Sequence, residues 1–367
     1  MTRLGQSGTV EAFYAVPEAN VIHTPHANAT PRRLGYRMPA SWQRTGPTFV
    51  SWPCGREAWG ERWHEVRQVA ARMVRALREH GEEVRIATCK MAPEDTVAAA
   101  LQFEGVDPGA VSFVRLQRDT EWLADMAPVV LEHPSGSRIA LDGHYNAWGE
   151  KYAPWHTDAK VAGQLAQAFG LPLLDAPFTF EPPSVDTDGD GLLLATESTL
   201  LGDDRNPDLG RDAIEALLLE WLCAERVLWL ADGMHGDDTD GQVSSVARFA
   251  APGVVLAAVE QEGTDRDNRP LRENLARLLR AYDRAGKRVE IVTVPLPSYR
   301  RFDDLALSYL RYHVGARCVL VPTYGCPEDE QAIASLRPLF PDRELVPVDA
   351  RPLAEAQAGI SCLCWRW

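Results

Sequence analysis

Five times along the chain a segment with helical apolar spacing stops at a turn signal and gives way to a short apolar run, and that recurrence limits the fold more than any single motif does. In "EAWGERWHEVRQVAARMVRALREHG", Trp63, Val66, Ala70, Met73, Val74 and Leu77 share one helical face, the pattern stops at Gly81, and "VRIATC" follows as a strand. "RDAIEALLLEWLC" sets Ile214, Leu217, Leu218, Trp221 and Leu222 at helical spacing before the strand "RVLWL", and "RPLRENLARLLRAYDRAG" precedes "RVEIVTVPLP". "DLALSYLRYHVG" reads as a helix before "RCVLVPTYG", and "PEDEQAIASLRPLFP" as one before "RELVPVDA". Helix then buried strand, repeated with no linker between two halves, predicts an α/β fold. Units recurring at loosely similar spacing fit a pseudo-symmetric ring of α/β modules as well as one open sheet. The first 35 residues, ending "NVIHTPHANATPRRLG", lack this periodicity and read as an irregular arm, with His23 and His26 in it. That leaves residues 36–367 as a single domain.

A chain of 367 residues with 45% hydrophobic side chains has ample material for one large core. The formal charge of −14 opposes a nucleic-acid or anionic-membrane partner, since either needs a basic face, and favours a small or cationic ligand. No apolar run reaches the roughly 18 residues of a membrane span, and "MTRLGQSGTVEAFYAV" lacks a signal-peptide core, so the expected location is cytoplasmic. Seven scattered cysteines without paired spacing argue against a disulfide framework and a structural zinc site, and predict mostly buried reduced thiols. No cofactor and no metal is expected, and association into a homo-oligomer is left open.

"DTDGDGLLLATE", Asp186 to Glu197, fits a calcium-loop expression, with Asp at positions 1, 3 and 5, Gly at 6 and Glu at 12. It follows "FTFEPPS", whose prolines bar a helix, and runs into the strand-like "LLLAT", so a β-hairpin turning at "DTDGDG" explains the same residues. The acidic loop "GMHGDDTDGQVSS" admits three readings: a metal loop, a solvated turn, or the wall of a pocket.

Further stretches change the weight of those readings: "GYRMPASW", "FVSWP", "RDTEWLADMAPVVL", "GHYNAWGEKY", "LLLATESTLLGDDRNP", "GDDTDGQVSSVARFAAPGVVLA", "VPTYGCPEDEQA" and "GISC". With these the chain resembles the agmatine deiminases and bacterial peptidyl-arginine deiminases of the guanidino-group-modifying superfamily, over about nine tenths of its length. The resemblance implies a five-bladed, pseudo-symmetric α/β propeller with the active site on its central axis. It also implies a cysteine thiolate that attacks a guanidinium carbon, two carboxylates that hold the guanidinium nitrogens, and a histidine that protonates the leaving amine and then activates water. A guanidinium is planar, always charged and a poor electrophile, so carboxylates must orient it and a thiolate must supply the nucleophile.

Carried over position by position, Cys362 in "GISC" matches the nucleophile, and the family's preceding histidine is Ser361. Asp125 in "WLADMAP" matches the first carboxylate, though the flanking arginine and glycine are Ala124 and Ala127. Glu181 matches a second carboxylate but is followed by Pro182 and Pro183 in place of two glycines. In the family pattern Asp-Gly-His-Val-Asp this chain has "DGQVS", which puts Gln242 at the histidine position and Ser244 at the aspartate position. Glutamine cannot exchange a proton near neutral pH and serine carries no charge. His235, earlier in the same loop, is a candidate replacement. Trp122, Trp148, Asp238 and Ser361 are further pocket-wall candidates. Cys364 would share a strand face with Cys362 if that segment is extended.

The resulting expectation is a deiminase-like enzyme with a rebuilt pocket, using Cys362 on the guanidino or amidine carbon of a small cationic or amidine-type molecule, as hydrolase or transferase, in specialised biosynthesis. The alternatives are an ordinary agmatine deiminase forming N-carbamoylputrescine, a non-catalytic ligand-binding relative, and a metal enzyme built on the aspartate loops.

Overall fold

The computed structural model describes residues 30–260, 268–299 and 305–367. Most of the arm expected over residues 1–35, His23 and His26 included, lies outside the described residues.

The described residues form five small sheets. One joins Val129–Glu132, Arg138–Asp142 and Leu173–Asp175; the next joins Val185–Thr187, Leu192–Thr196 and Arg226–Leu230. A third joins Ala247–Ala251, Val254–Val259 and Glu290–Pro295, and a fourth His313–Val314, Cys318–Thr323 and Glu344–Asp349. In each, the first two strands pair antiparallel and the last two parallel. The fifth sheet has the same plan with a swapped origin. Its first strand, Cys364–Arg366, comes from the end of the chain and pairs antiparallel with Thr48–Ser51, which pairs parallel with Val84–Thr88 and so on to Ser112–Arg115.

A parallel pair needs a crossover, and the amphipathic segments supply it. Trp63–Glu79, Val161–Ala168, Arg211–Trp221, Asn268–Leu278 and Glu328–Leu336 each bridge the second and third strands of a sheet, counting the C-terminal strand as first in the mixed-origin sheet. In the first of them Val66, Ala70, Met73, Val74 and Leu77 are buried, which is the apolar face the spacing predicts. The α/β class therefore stands. No helix among the described residues is long and apolar enough to cross a membrane.

Three local expectations change. Residues 305–312 contain no helix: Leu310 and Tyr312 are fully buried, and the chain runs through the core before entering the strand at His313. Leu307, Leu310 and Val314 sit at helical spacing by coincidence, because a segment buried on every side has no polar face to set a period. Cys54 and Cys89 form a disulfide, against the expected reduced thiols. The parallel register Ser51↔Ala87 brings the ends of two strands together, a proximity that spacing along the chain does not reveal. Cys362 lies in a one-turn 3₁₀ segment, Ile360–Leu363, before the strand that begins at Cys364, so the two thiols do not share a strand face. The "DTDGDG" stretch forms a hairpin between Val185–Thr187 and Leu192–Thr196.

The C-terminal aromatics lock the last strand in place. Trp365 and Trp367 are buried around Phe49, with ring centroids 5.1 and 5.6 Å away, and Trp365 Nε1 donates to the Pro128 carbonyl at 3.0 Å. Trp365→Ala would leave a cavity and an unpaired carbonyl, with an expected cost of about 3–5 kcal/mol in a urea unfolding experiment.

Candidate active site

The repeated plan puts the end of one connecting segment before the first strand of each sheet, and each such segment carries one chemically useful side chain. Asp125 sits in the turn Leu123–Met126 ahead of Val129, and Glu181 precedes the turn Pro182–Ser184 ahead of Val185. Gln242 caps Val243–Val246 ahead of Ala247, Arg311 precedes His313, and Cys362 precedes Cys364. The turn holding Asp125 packs on those holding Cys362 and Glu181, and the Gln242 turn packs on the Glu181 turn.

Asp125 is buried, and its Oδ1 accepts from Gln242 Nε2 at 2.7 Å and from Trp148 Nε1 at 3.2 Å. Burial raises its carboxyl to about 6, with nearby Glu181 pushing the same way and the Gln242 and Trp148 donors and the Arg311 charge opposing. Trp148 reaches it from an unusual backbone: Ala147, Trp148, Gly149 and Glu150 all have positive φ. Three of these are not glycine, and each costs about 1–2 kcal/mol in that region. Gly149 is required, since a Cβ there would lie 2.4 Å from Asp204 Cβ. Strain of this kind concentrates where a side chain must be aimed, here an indole at a carboxylate.

Glu181 is fully buried. Its Oε1 accepts from Arg205 Nε at 2.8 Å, while its Oε2 has no partner. The same Arg205 reaches Asp240 at 2.7 Å, and Lys151 Nζ reaches the other Asp240 oxygen at 2.6 Å. Asp238 is exposed and accepts from the Tyr152 hydroxyl. The acidic loop is thus held by cations and a phenol, which favours the pocket-wall reading over a solvated turn or a metal loop.

The Cys362 thiol is half-buried. It accepts from the Gly359 N–H at 3.3 Å and lies 3.7 Å from Arg311 Nη1. Burial pushes the thiol above its ordinary value, Arg311 pulls it down, and Asp125 and Asp237 push it up. Arg311 is itself clamped: Nε donates to Ser245 Oγ at 2.8 Å, Nη1 to the Gln357 carbonyl at 2.6 Å, and Nη2 lies 3.6 Å from Asp237. The Arg311 carbonyl accepts the Ser361 N–H at 3.1 Å, so the cation and the thiol turn are held as one unit.

Of the residues singled out in the sequence, Cys362, Asp125, Gln242, Glu181 and Trp148 come together. Ser361 contributes its backbone. Trp122 packs between Trp59 and Trp148, with centroids 5.1 and 6.4 Å away. Ser244 is half-buried, and its neighbour Ser245 is the one that meets Arg311. His235 is exposed in the loop whose later residue Gln242 is buried against Asp125. Arg311, Asp237, Ser245 and Arg205 were not anticipated. The signal for Arg311 was its place just ahead of a first strand, hidden by the helical reading of that segment. Two open surface clefts, one lined by Arg211, Trp229 and Arg277 and one by Trp59, Arg62 and Tyr299, do not include this cluster.

The thiol, the guanidinium and the buried carboxylates thus gather where the connecting turns of a repeated α/β scaffold meet. The chain belongs to the family described as Porphyromonas-type peptidyl-arginine deiminase, which matches residues 37–367. It is similar to the agmatine deiminase of Stutzerimonas stutzeri (strain A1501), 29% identical over 360 residues, covering 91% of this chain and 96% of that one. Two solved structures share its fold. The agmatine deiminase of Enterococcus faecalis has a TM-score of 0.86 at 24% identity and covers 93% of this chain and 98% of its own. That of C. jejuni has a TM-score of 0.78 at 23% identity, covering 90% and 95%.

Two measurements probe the site. Arg311→Met removes the cation beside the thiol, so alkylation of Cys362 by iodoacetamide at pH 7 should slow by on the order of tenfold, with Arg311→Lys in between. Asp125 titrates near 6 when folded and near 3.8 when unfolded, so the folded state holds its proton more tightly. The stability this gives is fully present below the unfolded value and is lost as pH rises through 6. Asp125→Asn does not titrate, so its stability relative to wild type should climb by about 2–3 kcal/mol between pH 4 and pH 7, as read by unfolding at each pH.

Proposed function

We propose that this protein is an agmatine-deiminase-like enzyme that uses Cys362 as nucleophile on the guanidino or amidine carbon of a small cationic molecule. The observation that carries the reading is the half-buried Cys362 thiol beside the Arg311 guanidinium, with Asp125 close enough to act on the thiol and Glu181, one oxygen of which is unpartnered, close enough to act on Asp125. A substrate guanidinium is held by carboxylates, and Glu181 Oε2 is a buried acceptor with nothing else to accept from.

Arg311 offsets the cost of ionising the half-buried thiol, and Sγ adds to the planar carbon. The C–N bond to the leaving amine breaks as that nitrogen takes a proton, leaving an S-linked amidinium on Cys362. Water then adds to the carbon and loses both of its protons in turn as its oxygen becomes the carbonyl, the S–C bond breaks, and the thiolate returns with a ureido product. An amine acceptor in place of water gives transfer of the amidino group. The proton carrier in this reading is Asp125, since its carboxyl is held near 6 and Gln242 beside it cannot exchange one. Gln242 orients Asp125 through a neutral donor. A rebuilt pocket of this kind suits a substrate of specialised biosynthesis, and the proposed location is cytoplasmic.

The test is incubation with agmatine, arginine and related guanidino compounds, followed by intact mass and product analysis with Cys362→Ala as control. Expected is a ureido or amidino-transfer product, or a mass adduct on wild type alone. Asp125→Asn should lower turnover by on the order of 100- to 10,000-fold while Cys362 stays alkylatable. Release of N-carbamoylputrescine from agmatine at ordinary deiminase rates would favour the plain hydrolase reading. Neither product nor adduct with any of the compounds would sink the proposal in favour of a ligand-binding role.

A further inference from the structure

The first strands of four sheets also carry a second ionisable cluster, separate from the thiol. It comprises Asp186 in Val185–Thr187, Arg248 in Ala247–Ala251, His313 in His313–Val314 and Arg366 in Cys364–Arg366. Arg44 reaches in after the turn Ser41–Gln43, and Glu82 joins from beside Val84–Thr88. Asp186, His313, Arg366 and Glu82 are buried, while Arg44 and Arg248 are half-buried.

The charges do not balance. Glu82 is fully engaged, its Oε1 by Arg366 Nε at 3.0 Å and Thr48 Oγ1 at 2.9 Å and its Oε2 by the Ala316 N–H at 2.5 Å. Asp186 Oδ2 accepts the Phe249 N–H at 2.7 Å. Neither Arg44 nor Arg248 has an ion-pair partner within 4.0 Å among the described residues. Arg44 Nη1 donates to the Arg366 carbonyl at 3.2 Å, and Arg248 Nη1 to the Leu310 and Tyr312 carbonyls at 3.2 and 2.7 Å. Three guanidiniums therefore stand against two carboxylates, with Arg343 adding a further positive field at Arg366. Two buried donors have no partner: Arg366 Nη1, and the hydroxyl of Tyr312, whose ring lies 4.1 Å under the Arg248 guanidinium. The field is felt nearby. Burial and the three arginines hold His313 down at about 3, hence neutral, so it cannot be the source of the excess charge.

A buried positive charge with spare donors is costly unless an anion shares the site. We propose that the Arg44–Arg248–Arg366 cluster binds one small monovalent anion of halide size. Arg44 and Arg248 are the members of the cluster that reach solvent in part, and the site is distinct from the one built on Cys362.

The probes are bromide and chloride. Crystals grown in sodium bromide should show an anomalous peak between the three guanidiniums. The melting temperature of the full chain should rise with sodium chloride or bromide over sodium gluconate at matched ionic strength, because a ligand of the folded state alone must raise it. Cys362→Ala should respond as wild type does, which separates this site from the proposed reaction. Arg44→Gln, whose native bond is only to a backbone carbonyl, should lose the halide-specific rise. If that variant does not fold, the wild-type peak and shift decide. A peak without a halide-specific shift would mean an adventitious ion only; a shift without a peak at the cluster would place the ion elsewhere. Either result overturns the proposal, as does a full halide response in Arg44→Gln.

Discussion

The antiparallel pairing of the last strand with the first governs the site. Cys364–Arg366 joins Thr48–Ser51 with Phe49 opposite Trp365, and the residue two places before that strand is Cys362. The position of Cys362, the proposed nucleophile, is thus set by a contact between chain ends, reinforced by the indoles of Trp365 and Trp367 around Phe49 and by the hydrogen bond from Trp365 to Pro128. Pro128 lies just past the turn that holds Asp125. One buried indole therefore ties the thiol segment to the carboxylate segment, so fold stability and site geometry rest on the same packing. The other sheets supply Glu181, Gln242 and Arg311 by the same device, a short turn feeding the first strand.

Within that frame the electrostatics are set by which cations are already present. Arg311 stands beside Cys362 with four protein partners and no freedom to leave. Arg205 saturates one oxygen of Glu181 and spends its other bonds on the acidic loop. The cluster is thus partly neutralised, and Glu181 Oε2 and Asp237 Oδ2 are the acceptors that the resident arginines leave over. In the acidic loop Lys151 and Arg205 hold the two oxygens of Asp240, Tyr152 donates to Asp238, and Arg311 lies 3.6 Å from Asp237 Oδ1, while Asp237 Oδ2 keeps no hydrogen-bond partner among the described residues.

The architecture was legible because crossover helices on a sheet carry one apolar face, and that face imposes a period on residues such as Val66, Ala70 and Leu77. It was not legible over residues 305–312, where Leu310 and Tyr312 are buried without a polar side to contrast with. The pairing of Cys54 with Cys89 escaped notice for a related reason: parallel register is a long-range property, and nothing local marks the two positions. At the site, motif matching found the side chains proposed to carry the chemistry and missed those packed around them. Cys362, Asp125 and Glu181 stand in recognisable strings, whereas Arg311, Ser245 and Arg205 act through geometry that only the meeting of five turns creates.

The two clusters share one structural cause. A first strand flanked by neighbours from other sheets presents inward-facing residues to the same region, so polar groups there meet partners far away in sequence. The turns before those strands gather acids and a thiol, while the strands themselves carry Arg248 near Asp186 and Arg366 paired with Glu82. A buried carboxylate and a buried guanidinium are each costly alone, and here only Arg366 gains a close ion pair, with Glu82 at 3.0 Å, while Arg248 has none among the described residues. In a chain of net charge −14, so concentrated a basic group is not a consequence of composition. It reflects where the first strands point, which is also why the acidic site and the basic cluster can coexist within one core without cancelling one another.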